Sequence, residues 1–183
     1  MRVRLHIQRI DAILHIMKTA EYWINKLELT PHPEGGYYRE IYRSNGEIPA
    51  EALPPGYSGN REYMSAIFFL LRSEDVSLFH RLESDEIWCF HAGTTALLHT
   101  MSEKNGHKKI ELGAPESGKP FCRVVPAHTW IAAEVTEPQS FSLVSCFVSP
   151  AFCFDDFEMA DRQALIRLFP VHEETIKRFT FKP

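Results

Sequence analysis

Several features that mark particular classes of protein are missing from this sequence. Its 183 residues carry 20 lysines and arginines against 24 aspartates and glutamates, for a formal net charge of −4, and no basic block could follow a phosphate backbone. No run of about 20 apolar residues, the length that crosses a bilayer, is present. The four cysteines form no CxxC pair, so neither a zinc knuckle nor a disulfide framework is indicated. These absences predict a protein that binds neither nucleic acid nor membranes.

Residues 1–16 also lack the unbroken apolar segment of a secretory signal, because charged residues interrupt them. We therefore expect a cytoplasmic protein with reduced thiols. Met17 would make a natural start, so residues 1–16 are either an upstream extension or a real extra element; our hypothesis is that they are dispensable and that residues 17–183 form a single domain. A chain of this length can bury a hydrophobic core of its own, and no repeat or linker divides it.

What the sequence does contain is a change in hydrophobic period along the chain. Residues 19–29 have apolar side chains at helical spacing, with Thr19 in the N-cap position, and the prolines of TPHPEGG end this helix. Apolar and polar residues then alternate over many short segments, from GGYYREIYRS to FSLVSCFV, which predicts strands. Helical spacing returns in residues 154–170. The pattern predicts a mainly β protein, either a sandwich or a closed barrel, with an N-terminal helix and a short C-terminal helix.

One short stretch, FHRLESDEIWCFHAG, concentrates residues that can do chemistry. If Glu86 begins a strand, alternation places Glu86 and Trp88 on one face and Cys89 and His91 on the other. His80 joins Glu86 if its own strand runs antiparallel beside this one, with LESD as the turn. A carboxylate beside an imidazole raises the basicity of the ring and fixes its tautomer, which suits a general base or a metal ligand. The same spacing also fits a structural hydrogen bond or a surface pair.

This stretch resembles the first motif of the cupin superfamily, which has two histidines, a glutamate and a closing glycine. His80, Glu86 and Gly93 stand at the positions of the first histidine, the glutamate and the final glycine, and VPAHTWI resembles the second cupin motif through Pro126. More narrowly, the chain is similar to the cupin family known as DUF985 or Cupin_5 in the segments LELTPHPEGGYYREIYRS, AIFFLL, FHRLESDEIW and SLVSCFVSPAFCFDDFEMADR. The resemblance implies a double-stranded β-helix, which is a jelly-roll barrel with an internal pocket, and a homodimer.

The chain departs from the cupin pattern at two metal-ligand positions. Leu82 replaces the second histidine of the first motif, and Ile131 stands where the second motif has its histidine. His80 and Glu86 alone keep a donor, whereas transition-metal sites normally take three or more protein donors. The acids at 155–161 do not add a site, because acids there favour the start of a helix. We therefore expect no cofactor; a transition metal, if one binds, would use His80 and Glu86 with ligands from outside the motifs.

The resemblance and the alternation together predict the lining of the pocket. Its expected residues are Trp88, Leu82, Ile131, Tyr38 and Arg39, beside the pair His80 and Glu86. Trp88 shares a strand face with Glu86. Tyr38 and Arg39 lie on a strand that the resemblance places near the rim, and the sequence does not decide which of the two points inward.

Three functions are compatible with this pattern. The first is a cytoplasmic cupin that binds a small polar, sugar-like metabolite and carries out isomerase- or epimerase-like chemistry without a metal, with His80 as base and Glu86 as its acid or orienting partner. It rests on the retention of this pair while two ligand positions became apolar. The second is a non-catalytic module that binds or senses a small molecule in the same cavity. The third, a metal-dependent oxygenase or hydrolase, requires ligands from outside the motifs.

Overall fold

The computed structural model describes residues 19–182, which fold mainly into β-strands. The strands are β1 (Thr30–Pro31), β2 (Tyr37–Arg43), β3 (Glu47–Ile48), β4 (Arg61–Glu62), β5 (Ser65–Arg72), β6 (Val76–Leu82), β7 (Asp85–Gly93), β8 (Ala96–Ser102), β9 (Gly106–Leu112), β10 (Cys122–Val125), β11 (Trp130–Val135), β12 (Phe141–Ser149) and β13 (Phe157–Met159). The helices are α1 (Ala20–Lys26), α2 (Arg162–Leu168) and α3 (Glu173–Arg178). The predicted extension at residues 1–16 and the start at Met17 lie outside the described residues.

The strands build two large antiparallel sheets and one small sheet. The first is six-stranded, in the order β1-β2-β5-β12-β7-β10, and the second is five-stranded, in the order β13-β6-β11-β8-β9; β3 and β4 form the small sheet. From β5 to β13 the chain changes sheet at every connection except the hairpin between β8 and β9. This repeated crossing is the topology of a jelly roll. The predicted mainly β jelly-roll barrel is confirmed.

The connection between β6 and β7 is not the predicted hairpin. β6 pairs with β11 and β13, whereas β7 pairs with β12 and β10, so Glu83 and Ser84 carry the chain from one sheet to the other. His80 and Glu86 therefore lie in opposite sheets, and both line the space between them. The prediction of adjacent strands was wrong because alternation identifies the face that a strand buries but not the sheet that it joins.

Three hydrophobic clusters hold the sheets and helices together. The largest lies between the two sheets, and its most buried members include Phe69, Leu98, Leu112 and Ile131. A second cluster packs α2 and α3 against the outer face of the five-stranded sheet, and a third packs α1 against the outer face of the six-stranded sheet. Within residues 19–182, none of the helices has the length and apolar character needed to cross a bilayer.

Two of the described helices, α1 and α2, begin at capping residues. Thr19 caps α1 as predicted, since its Oγ1 accepts a hydrogen bond from the backbone N–H of Tyr22 at 3.1 Å. At the other end, α2 begins later than predicted because Phe157–Met159 pairs with β6 as an edge strand. Asp161 then caps α2, accepting from the N–H of Ala164 at 2.7 Å. A second short helix, α3, follows where the sequence predicts a single one.

The packing of the C-terminal helices can be tested with two phenylalanines. Phe179 is 1% exposed and packs edge-on against Phe79, whereas Phe181 is 60% exposed. Phe179→Ala should lower the free energy of unfolding by about 3–5 kcal/mol, because truncating a buried phenylalanine leaves a cavity. Phe181→Ala should change it by less than about 0.5 kcal/mol. Urea denaturation followed by circular dichroism measures both, and equal losses would contradict this packing.

Candidate active site

A cavity of about 480 Å³ lies between the two sheets, a size that suits a small metabolite. Titratable groups from both sheets line it, among them Glu34, His80 and Glu86. Aromatic side chains form much of the remaining wall. They are Tyr38, Phe69, Trp88, Phe152, Phe154 and Phe157.

Glu34 reaches the cavity because the loop between β1 and β2 lies directly against β6. The backbone N–H of Leu78 donates to the carbonyl oxygen of Glu34 at 2.8 Å. Gly35 and Gly36 both have positive φ angles, 107° and 72°, and a Cβ atom on Gly35 would stand 2.1 Å from the carbonyl oxygen of Val76. Glycine alone accepts both this conformation and this approach. The Gly-Gly pair of HPEGG thus brings the preceding acid against β6.

Glu34 and His80 form a buried pair in close contact. The Nε2 atom of His80 lies 3.2 Å from Oε2 of Glu34, and its Nδ1 atom lies 2.8 Å from the carbonyl oxygen of Leu78. Because a carbonyl oxygen only accepts, Nδ1 carries a hydrogen, and the contact with Glu34 falls to Nε2. The hydroxyl of Ser77 donates to the other carboxyl oxygen of Glu34 at 2.9 Å. The Nε2 atom of the neutral ring therefore faces the carboxyl group of Glu34.

Burial sets the protonation of these groups. It raises the pKa of Glu34 to about 8, against the opposing effect of the Ser77 hydrogen bond. It lowers the pKa of His80, which the charge of Glu86 partly offsets, and it raises the pKa of Glu86, which His80 partly offsets. His32, in the same loop as Glu34, has its pKa lowered to about 4 by burial and by the neighbouring His80. At neutral pH Glu34 is consequently protonated for the most part, and His80 is mostly neutral.

Glu86 and Trp88 approach the cavity from β7, in the sheet opposite His80. Among residues 19–182, Oε2 of Glu86 and Nε1 of Trp88 are two of the few buried side-chain polar atoms that make no hydrogen bond of ordinary geometry, although Trp88 and Cys146 lie close enough to lower the pKa of Glu86. Such an atom typically costs about 1–3 kcal/mol, so buried polar groups are normally paired. Both side chains line the cavity, where polar atoms of a ligand can pair with them.

Two arginines at the cavity already donate to protein groups through all their nitrogens. Arg43 binds Glu40 through Nη2 at 2.7 Å and through Nε, and it binds Glu62 through Nη1 at 3.0 Å. Arg61 forms a buried bidentate pair with Asp156, with both N–O distances at 2.6 Å, and its Nη1 donates to a backbone carbonyl. The positive charges beside the cavity are therefore paired with carboxylates of the protein.

The structure places most of the predicted pocket residues at the cavity. His80, Glu86, Trp88, Leu82 and Tyr38 line it. Ile131 does not, because it is buried in the central core cluster. Arg39 does not either; it is exposed and donates to the carboxylate of Glu28 at 2.7 Å. The alternation along β2 explains the difference, since Tyr38 faces the cavity and its neighbour Arg39 faces the opposite side.

Sequence reasoning missed two residues of the site, His32 and Glu34. Both lie in the loop before β2. The carboxyl group of Glu34 contacts the His80 ring directly and also lies close to the ring of His32. A signal was present in HPEGG, because two successive glycines after an acid often mark a loop that approaches another backbone closely. The same alternation that brings Tyr38 inward also brings Glu40 to the cavity.

The residues present do not fit the metal centre of the cupin pattern. Leu82 offers hydrocarbon to the cavity, and Ile131 lies in the core. His80 and Glu86 keep their donors, but within residues 19–182 no group of three or more His, Cys, Asp or Glu side chains is arranged to hold a metal ion. Metal sites of this kind normally need at least three such donors.

The two facing sheets, with the cavity between them, define the class of protein as a double-stranded β-helix. A Klebsiella pneumoniae protein with a double-stranded β-helix domain shares the fold, with a TM-score of 0.50 and 11% identity over 74% of this chain and 93% of that one. The family model described as the cupin superfamily (DUF985), Cupin_5, matches residues 21–160. The chain belongs to this family.

Two solved structures are similar over nearly the whole chain. A hypothetical protein from Leishmania major has a TM-score of 0.81 and 35% identity, covering 90% of this chain and 100% of its own. Protein SO0799 from Shewanella oneidensis has a TM-score of 0.79 and 36% identity, covering 91% and 100%. Among curated proteins, the uncharacterized protein YML079W of Saccharomyces cerevisiae is 27% identical, over 73% of this chain and 71% of that protein.

The protonation of Glu34 predicts a pH dependence of stability. Its folded pKa of about 8 lies above the ordinary value of 4.5, so the native state holds a proton that the unfolded state has released. Stability from this group is complete below pH 4.5 and is lost as the pH rises towards 8. Between pH 6.5 and 8, Glu34 alone should lower the unfolding free energy, measured by urea denaturation, by up to about 1.4 kcal/mol per pH unit.

Glu34→Gln supplies the control, because the amide keeps the shape of the side chain and does not titrate. Over the same window the wild-type value should fall relative to that of Glu34→Gln, because His32 and His80, which gain protons in the unfolded chain near pH 6.5, contribute equally to both proteins. Identical slopes for the wild type and Glu34→Gln would show that Glu34 is ionised in the folded protein.

Two acids near the start of α2 predict contrasting effects. The sequence predicts that both favour the start of a helix, but Asp156 pairs with buried Arg61, and Glu158 pairs with exposed Arg81. Asp156→Ala should cost about 3–5 kcal/mol of stability, because it leaves a buried charge without its partner. Glu158→Ala should cost less than about 1 kcal/mol. Thermal and urea unfolding measure the two, and a mild effect at Asp156 would contradict the buried pair.

Proposed function

We propose that this protein binds a small, uncharged, sugar-like metabolite in the cavity and catalyses an isomerase- or epimerase-like proton transfer. The observation that carries the proposal is the buried contact of 3.2 Å between Glu34 and His80, which the cavity separates from Glu86. Clusters of buried titratable groups with shifted pKa values favour acid–base function. A cytoplasmic location and a homodimer stay predictions, and sedimentation velocity tests the second.

The charges around the cavity favour an uncharged ligand. Arg43 and Arg61 already donate to carboxylates through short hydrogen bonds. The raised pKa of Glu34, about 8, keeps that acid largely protonated near neutral pH, and burial raises the pKa of Glu86 as well. Among the described residues that line the cavity, none therefore offers an unpaired positive charge to a phosphate or carboxylate. An anionic ligand would have to displace an existing ion pair, at the cost of leaving a carboxylate unpaired.

The wall of the cavity supports a ligand that is both polar and ring-shaped. Aromatic faces such as Phe69, Phe157 and Trp88 pack against the C–H surfaces of a small ring. The unpaired Oε2 of Glu86 and Nε1 of Trp88 can exchange hydrogen bonds with its hydroxyl groups. Mixed apolar walls with a few convergent polar groups are typical of small-molecule sites.

The positions of the acids and bases suit a proton transfer at carbon. His80 and Glu34 approach from one side of the cavity, on β6 and the loop against it, and Glu86 approaches from the opposite sheet. Epimerisation removes a proton from one face of a carbon and returns a proton to the other, so it needs proton carriers on two sides. His80 serves as the base, accepting the substrate proton at Nε2 after the ligand takes the place of Oε2 of Glu34, and Glu86 serves as the acid; proton exchange with solvent then restores both groups. No net proton or electron is consumed.

A non-catalytic binding role is the second candidate. The specific observation in its favour is that the unpaired atoms of Glu86 and Trp88 gain from ligand binding even if no proton moves. This role predicts that a ligand raises the melting temperature without being transformed, because a ligand that binds only the folded state stabilises it.

Solvent exchange separates these candidates even when the product is unidentified. Unphosphorylated pentoses and hexoses, and their phosphate esters, are incubated with the protein in D₂O, and proton NMR follows replacement of C–H by C–D next to the carbonyl. We expect exchange in at least one uncharged sugar, and a loss of about 100-fold or more in His80→Gln, the usual contribution of a general base. His91→Gln is the matched control, since His91 is exposed and its Nε2 pairs with Ser145 on β12.

Each other outcome has a definite meaning. Equal exchange by the wild type and His80→Gln would remove His80 from the mechanism. A sugar that raises the melting temperature but does not exchange would favour the binding role. Exchange confined to phosphate esters would show that the inference from paired arginines is wrong.

A further inference from the structure

Two cysteines face each other on the outer side of the six-stranded sheet, away from the cavity. Cys89 lies on β7 and Cys122 begins β10, and the two are direct cross-strand partners. Their sulfur atoms are 3.0 Å apart, closer than ordinary contact between two non-bonded sulfurs, and both side chains are partly accessible free thiols. The other two cysteines, Cys146 and Cys153, line the cavity instead.

The register of the strands permits a disulfide between them. The backbone N–H of Phe90 donates to the carbonyl oxygen of Phe121 at 2.7 Å, so the pair next to the cysteines is the hydrogen-bonded one. Antiparallel pairs alternate, which makes Cys89 and Cys122 a non-hydrogen-bonded pair with Cα atoms about 4.5 Å apart. Disulfides accept Cα separations of about 4.4–6.8 Å, so the bond can form without moving either strand.

We propose that Cys89 and Cys122 form a reversible intrachain disulfide, with a disulfide of the glutathione type as the oxidant. A thiolate of the pair attacks glutathione disulfide, forming a mixed disulfide and releasing one reduced glutathione. The second cysteine then attacks the protein sulfur of that mixed disulfide, forming the Cys89–Cys122 bond and releasing another. Two protein thiols are oxidised, and one glutathione disulfide is reduced to two thiols.

The bond would fasten an edge strand to the strand that carries the cavity acid. β10 ends the six-stranded sheet and pairs with β7 alone, and its residues Arg123 and Val125 lie opposite Trp88 and Glu86. The cysteines are 33 residues apart, so the disulfide also closes a loop and restricts the unfolded chain. We therefore expect oxidation to raise the melting temperature.

The speed of the exchange follows from the surroundings of the thiols. Burial and the neighbouring Cys122 raise the pKa of Cys89 to about 11, so the thiol form dominates near neutral pH. Thiolate is the attacking species, and exchange near neutral pH is therefore slow. The equilibrium extent of oxidation is accordingly the quantity to measure, in place of a rate.

The test equilibrates the full chain at pH 8 in glutathione buffers from fully reduced to strongly oxidised. Thiols are counted after unfolding, and peptide mapping locates any disulfide. The wild type should lose two of its four thiols, with a mass lower by about 2 Da because two hydrogens leave. Dithiothreitol should restore both thiols and the lower melting temperature.

Variants distinguish the proposed pair from general oxidation. Cys89→Ser and Cys122→Ser should each form no intrachain disulfide, so that any thiol they lose carries a glutathione adduct. Cys153→Ser is the matched control and should still lose two thiols to the disulfide. Either single variant suffices if the other fails to fold, which circular dichroism checks. Retention of all four thiols by the wild type, a persistent glutathione adduct, an intermolecular disulfide or a bond mapped to other cysteines would each overturn the proposal.

Discussion

The contact between the HPEGG loop and β6 determines how the barrel presents its chemistry. The strands that flank the loop belong to the six-stranded sheet, yet Glu34 contacts β6 of the five-stranded sheet. Its carbonyl oxygen accepts from Leu78, and its carboxyl group contacts Ser77 and His80. The contact exists because Gly35 carries no Cβ. It joins the two sheets beside the cavity and removes a carboxyl group from water, so a protonated acid becomes a stable part of the fold.

Much of the architecture follows from sequence, because local spacing reflects local geometry. Alternation predicted the strands, and the N-cap at Thr19 predicted the start of α1. The pairing of strands was beyond such reasoning. Two residues separate β6 from β7, a spacing typical of a hairpin. The two strands instead belong to different sheets, and side chains of both line the cavity between these sheets. The interval Phe157–Met159 is likewise a strand only because β6 offers it an edge.

The site was predictable where its residues share a motif and unpredictable where they come together from distant parts of the chain. His80, Glu86 and Trp88 lie within nine residues of sequence, and their positions followed from the motif and the period of two. Glu34 is more than forty positions before His80, and periodicity cannot connect them. Arg39 and Ile131 show a further limit, since adjacency to an inward residue or membership of a motif does not make a side chain part of the lining.

The paired arginines have a consequence for how a ligand reaches the cavity. Arg43 and Arg61 are neutralised at close range by Glu40, Glu62 and Asp156. Three carboxylates face two guanidinium groups, so the cluster carries a net charge of about −1, which gives no long-range attraction to an anion and little guidance to an uncharged molecule in solution. Capture then depends on shape and on random encounter. Dissolved salt, which weakens attraction between separated charges, has little here to weaken, and the entrance should work equally well in dilute and in concentrated surroundings.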